Sequence, residues 1–230
     1  MGLKVFTINF ANPIDAYEIP QFRGAVIAAV GRDGHPLFHD HIGDTGYRYA
    51  YPLIQYKRLG GKASIVGLGD GIDALGALLR KNPVTLRLDS GRIVHLAVAD
   101  ATTQDCLFAV GDRADKRYRL RRWLPFNSDN YKRYRATESL AERVTMLEKI
   151  LIGNILSMAR GLELFVDVHI DVVITTMRQH QAMVSYKNAG MLAFDVDFLS
   201  NIDLPVGVGL GKGTSIGFGV VEKLDKQTDK

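Results

Sequence analysis

Three histidines and two tyrosines crowd the stretch GRDGHPLFHDHIGDTGYRY: His35, His39, His41, Tyr47 and Tyr49 fall within fifteen residues and hold half of the chain's six histidines. Imidazoles titrate near neutrality and can take or give a proton, and a neighbouring phenol can orient a nucleophile or donate to developing charge. The cluster therefore fits proton-transfer catalysis. Two other readings stand beside it. His39-x-His41 has a common metal-ligand spacing, with His35, Asp40 or Asp44 as further donors, and histidines also hold folded loops by hydrogen bonds. Acidic residues offer a second chemistry: Asp167, His169 and Asp171 share a face if FVDVHIDVV is a strand, and Asp195 and Asp197 repeat the spacing in FDVDF. Paired aspartates on a sheet can hold the two metals of a nucleotidyl enzyme, although such alternation is also the ordinary solvent face of a strand. Nothing marks His95 or His180 as catalytic.

A third feature is charge. From Arg113 to Arg135 there are nine Lys or Arg against Asp115 and Asp129, a local balance of +7 in a chain of net +4, so the remainder is −3. Tyr118, Trp123, Phe126, Tyr131 and Tyr134 are threaded through the same window. Concentrated cations attract phosphates and interleaved rings can stack on unpaired bases, which points to RNA or single-stranded DNA. The alternative is a solvated basic strand and loop whose rings face the core.

Near the C-terminus GVGLGKGTSIGFG places glycine at 207, 209, 211, 213, 217 and 219. It is not a P-loop, because Gly211-Lys212 is followed by Gly213 and not by Ser or Thr. Nor does it have the dinucleotide spacing, since Lys212, Thr214 and Ile216 occupy the positions where a third glycine is needed. What remains is a symmetric figure, Gly209-Leu-Gly211, five residues including Lys212, then Gly217-Phe-Gly219.

The elements that must carry these residues read as two similar halves. LKVFTINFA alternates Val5, Thr7 and Asn9 against Phe6, Ile8 and Phe10 as a strand. IPQFRGAVIAAVG reads as a helix after Pro20. YRYAYPLIQYKRL and KASIVGLG are β-rich, GIDALGALLRK is helical, and RIVHLAVAD is a further strand. That order, β-α-β-β-α-β, is the ferredoxin-like plan. In the second half KRYRLRRWL is a strand with Arg117, Arg119 and Arg121 on one face. Leu140, Val144, Leu147, Leu151, Ile155 and Met158 mark a long amphipathic helix with a Ser139/Glu142 capping box. ELFVDVHIDVVITT with QAMVSYKN reads as a hairpin, followed by MLAFDVDFL and SIGFGVVEKL. The fold class expected is α+β, two ferredoxin-like (RRM-like) domains in tandem, 1–112 and 113–230.

At 230 residues, 47% hydrophobic and 23% charged, the composition is that of an ordinary globular chain. Cys106 is the only cysteine, which excludes an internal disulfide or a thiolate-rich metal site. MGLKVFTINF has neither a basic n-region nor a cleavage site, and no apolar run reaches spanning length, so a cytoplasmic protein without a membrane partner is expected.

The G-Φ-G, five residues with a Lys, G-Φ-G figure at the end of a double ferredoxin-like chain resembles the signature of the repeat-associated (RAMP) superfamily of CRISPR proteins, and in particular its endoribonucleases that process repeat RNA. IPQFRGAV, LFHDH and YRYAYPLIQYKR are similar to N-terminal motifs of one branch. The resemblance implies CRISPR repeat RNA as partner and cleavage of the precursor within each repeat by attack of the ribose 2′-OH, without metal or cofactor, leaving a 2′,3′-cyclic phosphate. It implies catalysis by His39 and His41, one as base and the other as acid, with Tyr47 assisting. The family often adds a lysine, for which Lys57 is the nearest candidate. It further implies RNA contacts from Arg117, Arg119 and Arg121 and from the glycine loop, where Gly209, Gly211, Gly217 and Gly219 let backbone approach RNA and Lys212 meets phosphate. A non-catalytic RNA-binding subunit of a CRISPR effector complex and an Asp195/Asp197 metal enzyme are the alternatives. Other effector subunits are possible partners, and the chain is expected as a monomer or homodimer.

Overall fold

A computed structural model describes residues 2–30, 37, 51–79, 84–87 and 91–225. The chain separates into two compact units, one of Gly2–Cys106 with Ser215–Gly217, the other built on Leu107–Thr214 and resuming at Phe218. Among the described residues no helix is long and apolar enough to cross a membrane.

The N-terminal unit runs β1 (Gly2–Pro13), α1 (Ile19–Val30), β2 (Ile54–Leu59), β3 (Lys62–Leu68), α2 (Gly71–Leu79), β4 (Val84–Arg87), β5 (Ile93–Leu96) and β6 (Val98–Leu107). Its main sheet has the order β2-β3-β1-β6, so the first and third strands lie inside. The period-two pattern of β1 sends Ile8 and Phe10 into the core. There they meet Ile19, Phe22 and Val26 of α1 and Ile54 and Tyr56 of β2. Phe22 stands edge-on to both Phe10 and Tyr56, with ring centroids 6.1 and 5.6 Å away, a favourable quadrupolar arrangement. Where one strand is expected at RIVHLAVAD there are two. The break falls at Ala97, whose N–H donates to the Asn12 side chain and whose carbonyl accepts from Ala11 N–H. β5 consequently pairs with β4 in a separate ribbon, while β6 enters the main sheet.

The C-terminal unit continues with β7 (Lys116–Trp123), α3 (Ser128–Ala136), α4 (Leu140–Gly161), β8 (Val172–Gln179), β9 (Val184–Tyr186), β10 (Ala189–Met191), β11 (Phe194–Ser200) and β12 (Val220–Lys223). Its sheet order, β12-β7-β11-β8, repeats the fourth-first-third-second arrangement of the N-terminal sheet. Both units are thus ferredoxin-like and the class is α+β, as expected. In this unit the place of the second helix, between β11 and β12, is taken by the glycine loop, whose only helical piece is the 3-10 turn Thr214–Ile216.

Four expectations for this half need correction. The hairpin expected of ELFVDVHIDVVITT with QAMVSYKN does not form: β8 pairs with β11, and β9 pairs with β10 in a separate ribbon. Part of the basic window is helix: α3 begins at Asn127, whose side chain accepts from Asn130 N–H and caps the first turn. The aromatic residues of the window are mostly core. Tyr118, Trp123, Phe126 and Tyr134 are buried and only Tyr131 is half-exposed, because the alternation that turns Arg117 and Arg119 outward turns Tyr118 and Leu120 inward. And 163–171 is not a strand, because the Asn201 side chain takes Asp171 N–H and donates to His169 O, tying the segment by a side chain before β8 starts. His169 and Asp171 pair on the open surface. In α4 the stripe Leu147, Leu151, Ile155 and Met158 is buried as its spacing requires, and Ser139 caps the helix. Leu140 in its first turn lies exposed.

Candidate active site and RNA-binding surfaces

His35, His39, His41, Tyr47 and Tyr49 lie outside the described residues. Lys57, on the strand that follows them, is described and is buried on the face of the N-terminal sheet opposite α1. Its register partner is Ser64 on β3. Ser64 donates to Asn9 Oδ1 at 2.7 Å and Asn9 donates to Asp100 Oδ1 at 2.8 Å, so a polar row runs from β2 to β6 on this face. Burial holds the Lys57 ammonium far below the usual lysine range, at about 7. A lysine there is a group able to exchange a proton near neutrality; the sequence, which shows only Tyr56-Lys57-Arg58 on a short strand, carries no sign of that.

The three candidate arginines of β7 do not share one environment. Arg119 forms a two-pronged ion pair with Asp197, Nε to Oδ1 and Nη2 to Oδ2. Arg121 donates to Glu222 at 3.0 Å and lies 3.8 Å from Asp195. Arg117 has no ion-pair partner among the described residues. Asp195 is a hub: it accepts from Arg122 N–H at 2.8 Å, from Arg178 at 2.5 Å and meets His180 at 3.0 Å. Burial opposes its ionisation, but the Arg122 N–H, His180 and Arg178 outweigh that and hold its carboxyl at about 2. The Arg119 hydrogen bonds lower Asp197 likewise. Both carboxylates are thus committed to cationic protein groups, which a divalent metal would have to displace. Alternation along FDVDF places them on a sheet face as expected, but the arginines across the ladder, distant in sequence, decide what they do there.

The glycine loop is shaped first by the protein itself. Gly219 has φ +61°, and a Cβ on it would collide with the carbonyl oxygen of Leu210; Leu210 N–H in turn donates to Gly219 O at 2.8 Å. Gly211 has φ +90°, and a Cβ would sit 2.8 Å from Trp123 Nε1 and 3.0 Å from Leu124 O. Both are backbone conformations that a side chain would strain. Gly209 bridges Val220 across the loop, and Gly217, which clusters with the N-terminal unit, abuts Ile19. The expectation that these glycines exist to admit RNA is therefore not needed to account for them. Lys212 differs: it is exposed, and its own N–H anchors the loop to Leu124 O at 3.2 Å.

Lys212 stands at a groove of about 930 Å³ walled by α3, residues 141–154 of α4 and the loop. Arg133 and Lys149 are the other cations lining it, against one carboxylate, Glu142. Asn154 contributes an amide whose Oδ1 is fixed inward by Trp123 Nε1 at 2.9 Å. Arg133 falls within the basic window; Lys149, fourteen residues beyond it on α4, is a lining residue that no motif identifies.

Comparison with known proteins agrees with this architecture along the whole chain. Residues 1–102 match the family model of the Cas6b N-terminal domain and residues 112–224 that of the Cas6b C-terminal domain. A solved structure described as Cas6b has a TM-score of 0.86 at 26% identity, covering 97% of this chain and 100% of that one. A CRISPR RNA processing endoribonuclease Cas6b, 24% identical over 97% of this chain and 100% of its own, has a TM-score of 0.73 and supports the fold. An uncharacterized protein of Methanocaldococcus jannaschii is 30% identical over 119 residues, 52% of this chain and 79% of that protein. With both domain models matched in tandem, the chain belongs to the Cas6b family.

Proposed function

We propose that this protein is an endoribonuclease that cleaves precursor CRISPR RNA within its repeats to give CRISPR RNA. The observation that carries the reading is the match of both Cas6b domains in tandem over nearly the whole chain, together with a solved Cas6b of the same fold. In the mechanism proposed, a general base removes the proton of the 2′-OH next to the scissile phosphate. The alkoxide attacks phosphorus, the bond to the 5′-oxygen breaks, and an acid protonates that leaving oxygen. The products are a 2′,3′-cyclic phosphate and a 5′-OH. His41 is assigned as base, His39 as acid and Tyr47 as orienting group; the two histidines' roles are interchangeable in this scheme. The internal hydroxyl is held beside its target, which supplies a high effective concentration without a metal-bound water. Arg117, Arg119, Arg121, Lys212 and the loop glycines are assigned to the RNA-contacting set, whereas Lys57, expected there too, is buried on the strand after the histidine cluster and has no surface to offer RNA. Residues 1–112 would carry the catalytic loop and 113–230 the basic segment, in a cytoplasmic monomer or homodimer that other effector subunits can join.

The test is incubation of the purified protein with repeat RNA in EDTA, using a second RNA carrying a single 2′-deoxyribose upstream of the cut. Cleavage of the first and binding without cleavage of the second are expected. Activity lost in EDTA and restored by Mg²⁺ or Mn²⁺, or efficient cutting of the deoxy substrate, would overturn the mechanism. Binding without cleavage of the unmodified RNA would leave the protein a binding subunit.

A further inference from the structure

We propose that the groove between α3, α4 and the glycine loop of the C-terminal unit continues the RNA path past Lys212, gripping the phosphates of a single-stranded segment that flanks the repeat without reading its sequence. Only the identity of the ligand rests on the RNA-processing reading; the groove and its chemistry stand on the geometry.

Three observations lead there. First, the cations are free to act. On the sheet, Arg119, Arg121 and Arg178 are each paired with a carboxylate, and that face is close to self-neutralised. In the groove Arg133, Lys149 and Lys212 are exposed, none is in an ion pair among the described residues, and Glu142 is the one carboxylate of the lining. Uncompensated cations along a concave wall are what a phosphate chain needs. Second, the donor set is polar but not aromatic. With Asn154 Oδ1 taken by Trp123 Nε1, its amide N–H groups are the part left to offer. Among the described residues no aromatic ring lines the groove, so its grip is on the backbone and not by base stacking, which dominates many single-strand sites. A space of about 930 Å³ lies at the upper end of the roughly 300–1,000 Å³ typical of small-ligand pockets, enough for a few nucleotides of one strand and too little for a duplex.

Third, α4 carries a glycine that the fold does not require. Gly153 is four residues past Lys149, inside a helix of 22 residues, and lines the groove. It has no left-handed backbone, and a Cβ on it would meet nothing within 4 Å. Glycine in a helix interior is destabilising relative to almost any other residue, and here no internal contact accounts for it. A bare stretch of helix in a cationic groove is where an external chain can lie against the backbone.

The experiment uses the whole protein and a non-cleavable repeat RNA, 2′-deoxy at the cut, with and without short flanks of random sequence. Wild type should bind the flanked RNA more tightly than the bare repeat. In Arg133→Ala/Lys149→Ala the log-log salt slope for flanked RNA should fall by about 1.4, at about 0.7 for each single-strand phosphate contact, and the advantage of the flanks should vanish. Arg133→Lys/Lys149→Arg, which keeps the charges, should retain the wild-type slope and controls for folding. Gly153→Leu should raise the thermal midpoint yet abolish the advantage of the flanks, a combination that a merely structural role does not produce. No gain from flanks in wild type, an unchanged slope in the alanine pair, or wild-type RNA binding by Gly153→Leu would overturn the proposal, the last leaving the groove to a protein partner or to nothing. Because the probe is not cut, these outcomes are independent of whether the protein cleaves.

Discussion

Replacing Asp195 by Asn should loosen the C-terminal sheet in a way that pH reports. The side chain is 11% exposed and its carboxylate faces Arg178, His180, the Arg122 N–H and, farther off, Arg121. Its carboxyl is lowered from 3.8 to about 2, and at about 1.36 kcal/mol per pKa unit this corresponds to at most about 2.4 kcal/mol of stability at neutral pH. Arg178 is 70% exposed and Arg121 41%, so solvent screens part of that attraction, and about 1–2 kcal/mol is expected. The sign follows from the depressed folded value. Folding favours the ionised carboxylate, so the contribution is complete above the unfolded pKa near 4, roughly half of it remains at pH 3, and most is gone by pH 2. Urea unfolding of wild type and Asp195→Asn at pH 6 and pH 3 measures this directly: a gap of about 1–2 kcal/mol at pH 6 should shrink to about half at pH 3. An equal gap at both pH values would mean that the loss is packing and not charge, and no gap at pH 6 would refute the hub. The same substitution releases Arg178 from its carboxylate, while Arg121 keeps Glu222. If the sheet face contacts phosphate, the salt dependence of RNA binding should therefore steepen in this variant.

The remaining predictions concern the RNA and the buried lysine. His41→Ala or His39→Ala should slow repeat cleavage by roughly 10²–10⁴ with RNA affinity nearly unchanged, since proton transfer matters only in the transition state; wild-type rates in both single variants and in the double variant would remove these residues from the site. Arg117→Ala should flatten the salt slope of binding by about 0.7, and Arg119→Ala by less, because Asp197 already neutralises it; equal slopes in the two variants would contradict the ion-pair assignment. Lys57, whose ammonium is held near 7 in the folded protein against 10.5 ordinarily, is favoured neutral by folding. Unfolding then binds a proton between those values, so stability should rise with pH from about 7 to about 10, by no more than about 1.4 kcal/mol per pH unit. Lys57→Met should flatten that rise, and identical pH profiles for the two proteins would place the ammonium in contact with water.

How legible this protein is in its sequence depends on the range of the interactions that set each feature. Alternation in LKVFTINFA and KRYRLRRWL and the 3.6-residue spacing of α1 and α4 are local patterns, and they give the strands, helices and tandem order directly. The split of RIVHLAVAD at Ala97 is not local: it is made by Asn12 on another strand. The loss of strand at 163–171 is likewise made by Asn201, some thirty residues on. The rings of the basic window read equally well as a stacking surface or as core, because composition is blind to which face of a strand a helix covers. For the site the same division holds. The glycine figure is visible and its family resemblance is specific, whereas the pairing of Arg119 with Asp197 joins strands 78 residues apart and the burial of Lys57 depends on the packing of a whole sheet face.

The glycine loop joins these levels. The C-terminal unit lacks the helix that its ferredoxin-like order calls for between β11 and β12, and a loop filling that place must lie flat on the sheet edge while satisfying its own backbone. It does so by hydrogen bonds to β12, to β7 and to the residue that follows β7: Gly207 N–H to Val221 O, Gly219 N–H to Arg122 O and Lys212 N–H to Leu124 O. Side chains at Gly211 or Gly219 would lift it off Trp123 and Leu210. Its glycines are thus the condition for close packing, and their functional effect is indirect. By pressing the loop onto Trp123 they present Lys212 at the edge of the groove, while the same indole, through Nε1, fixes Asn154 in its lining. One buried tryptophan therefore sets the position of both a cation and an amide along the proposed RNA path. A glycine-rich motif can in this way belong to RNA recognition although its glycines are explained by contacts with protein.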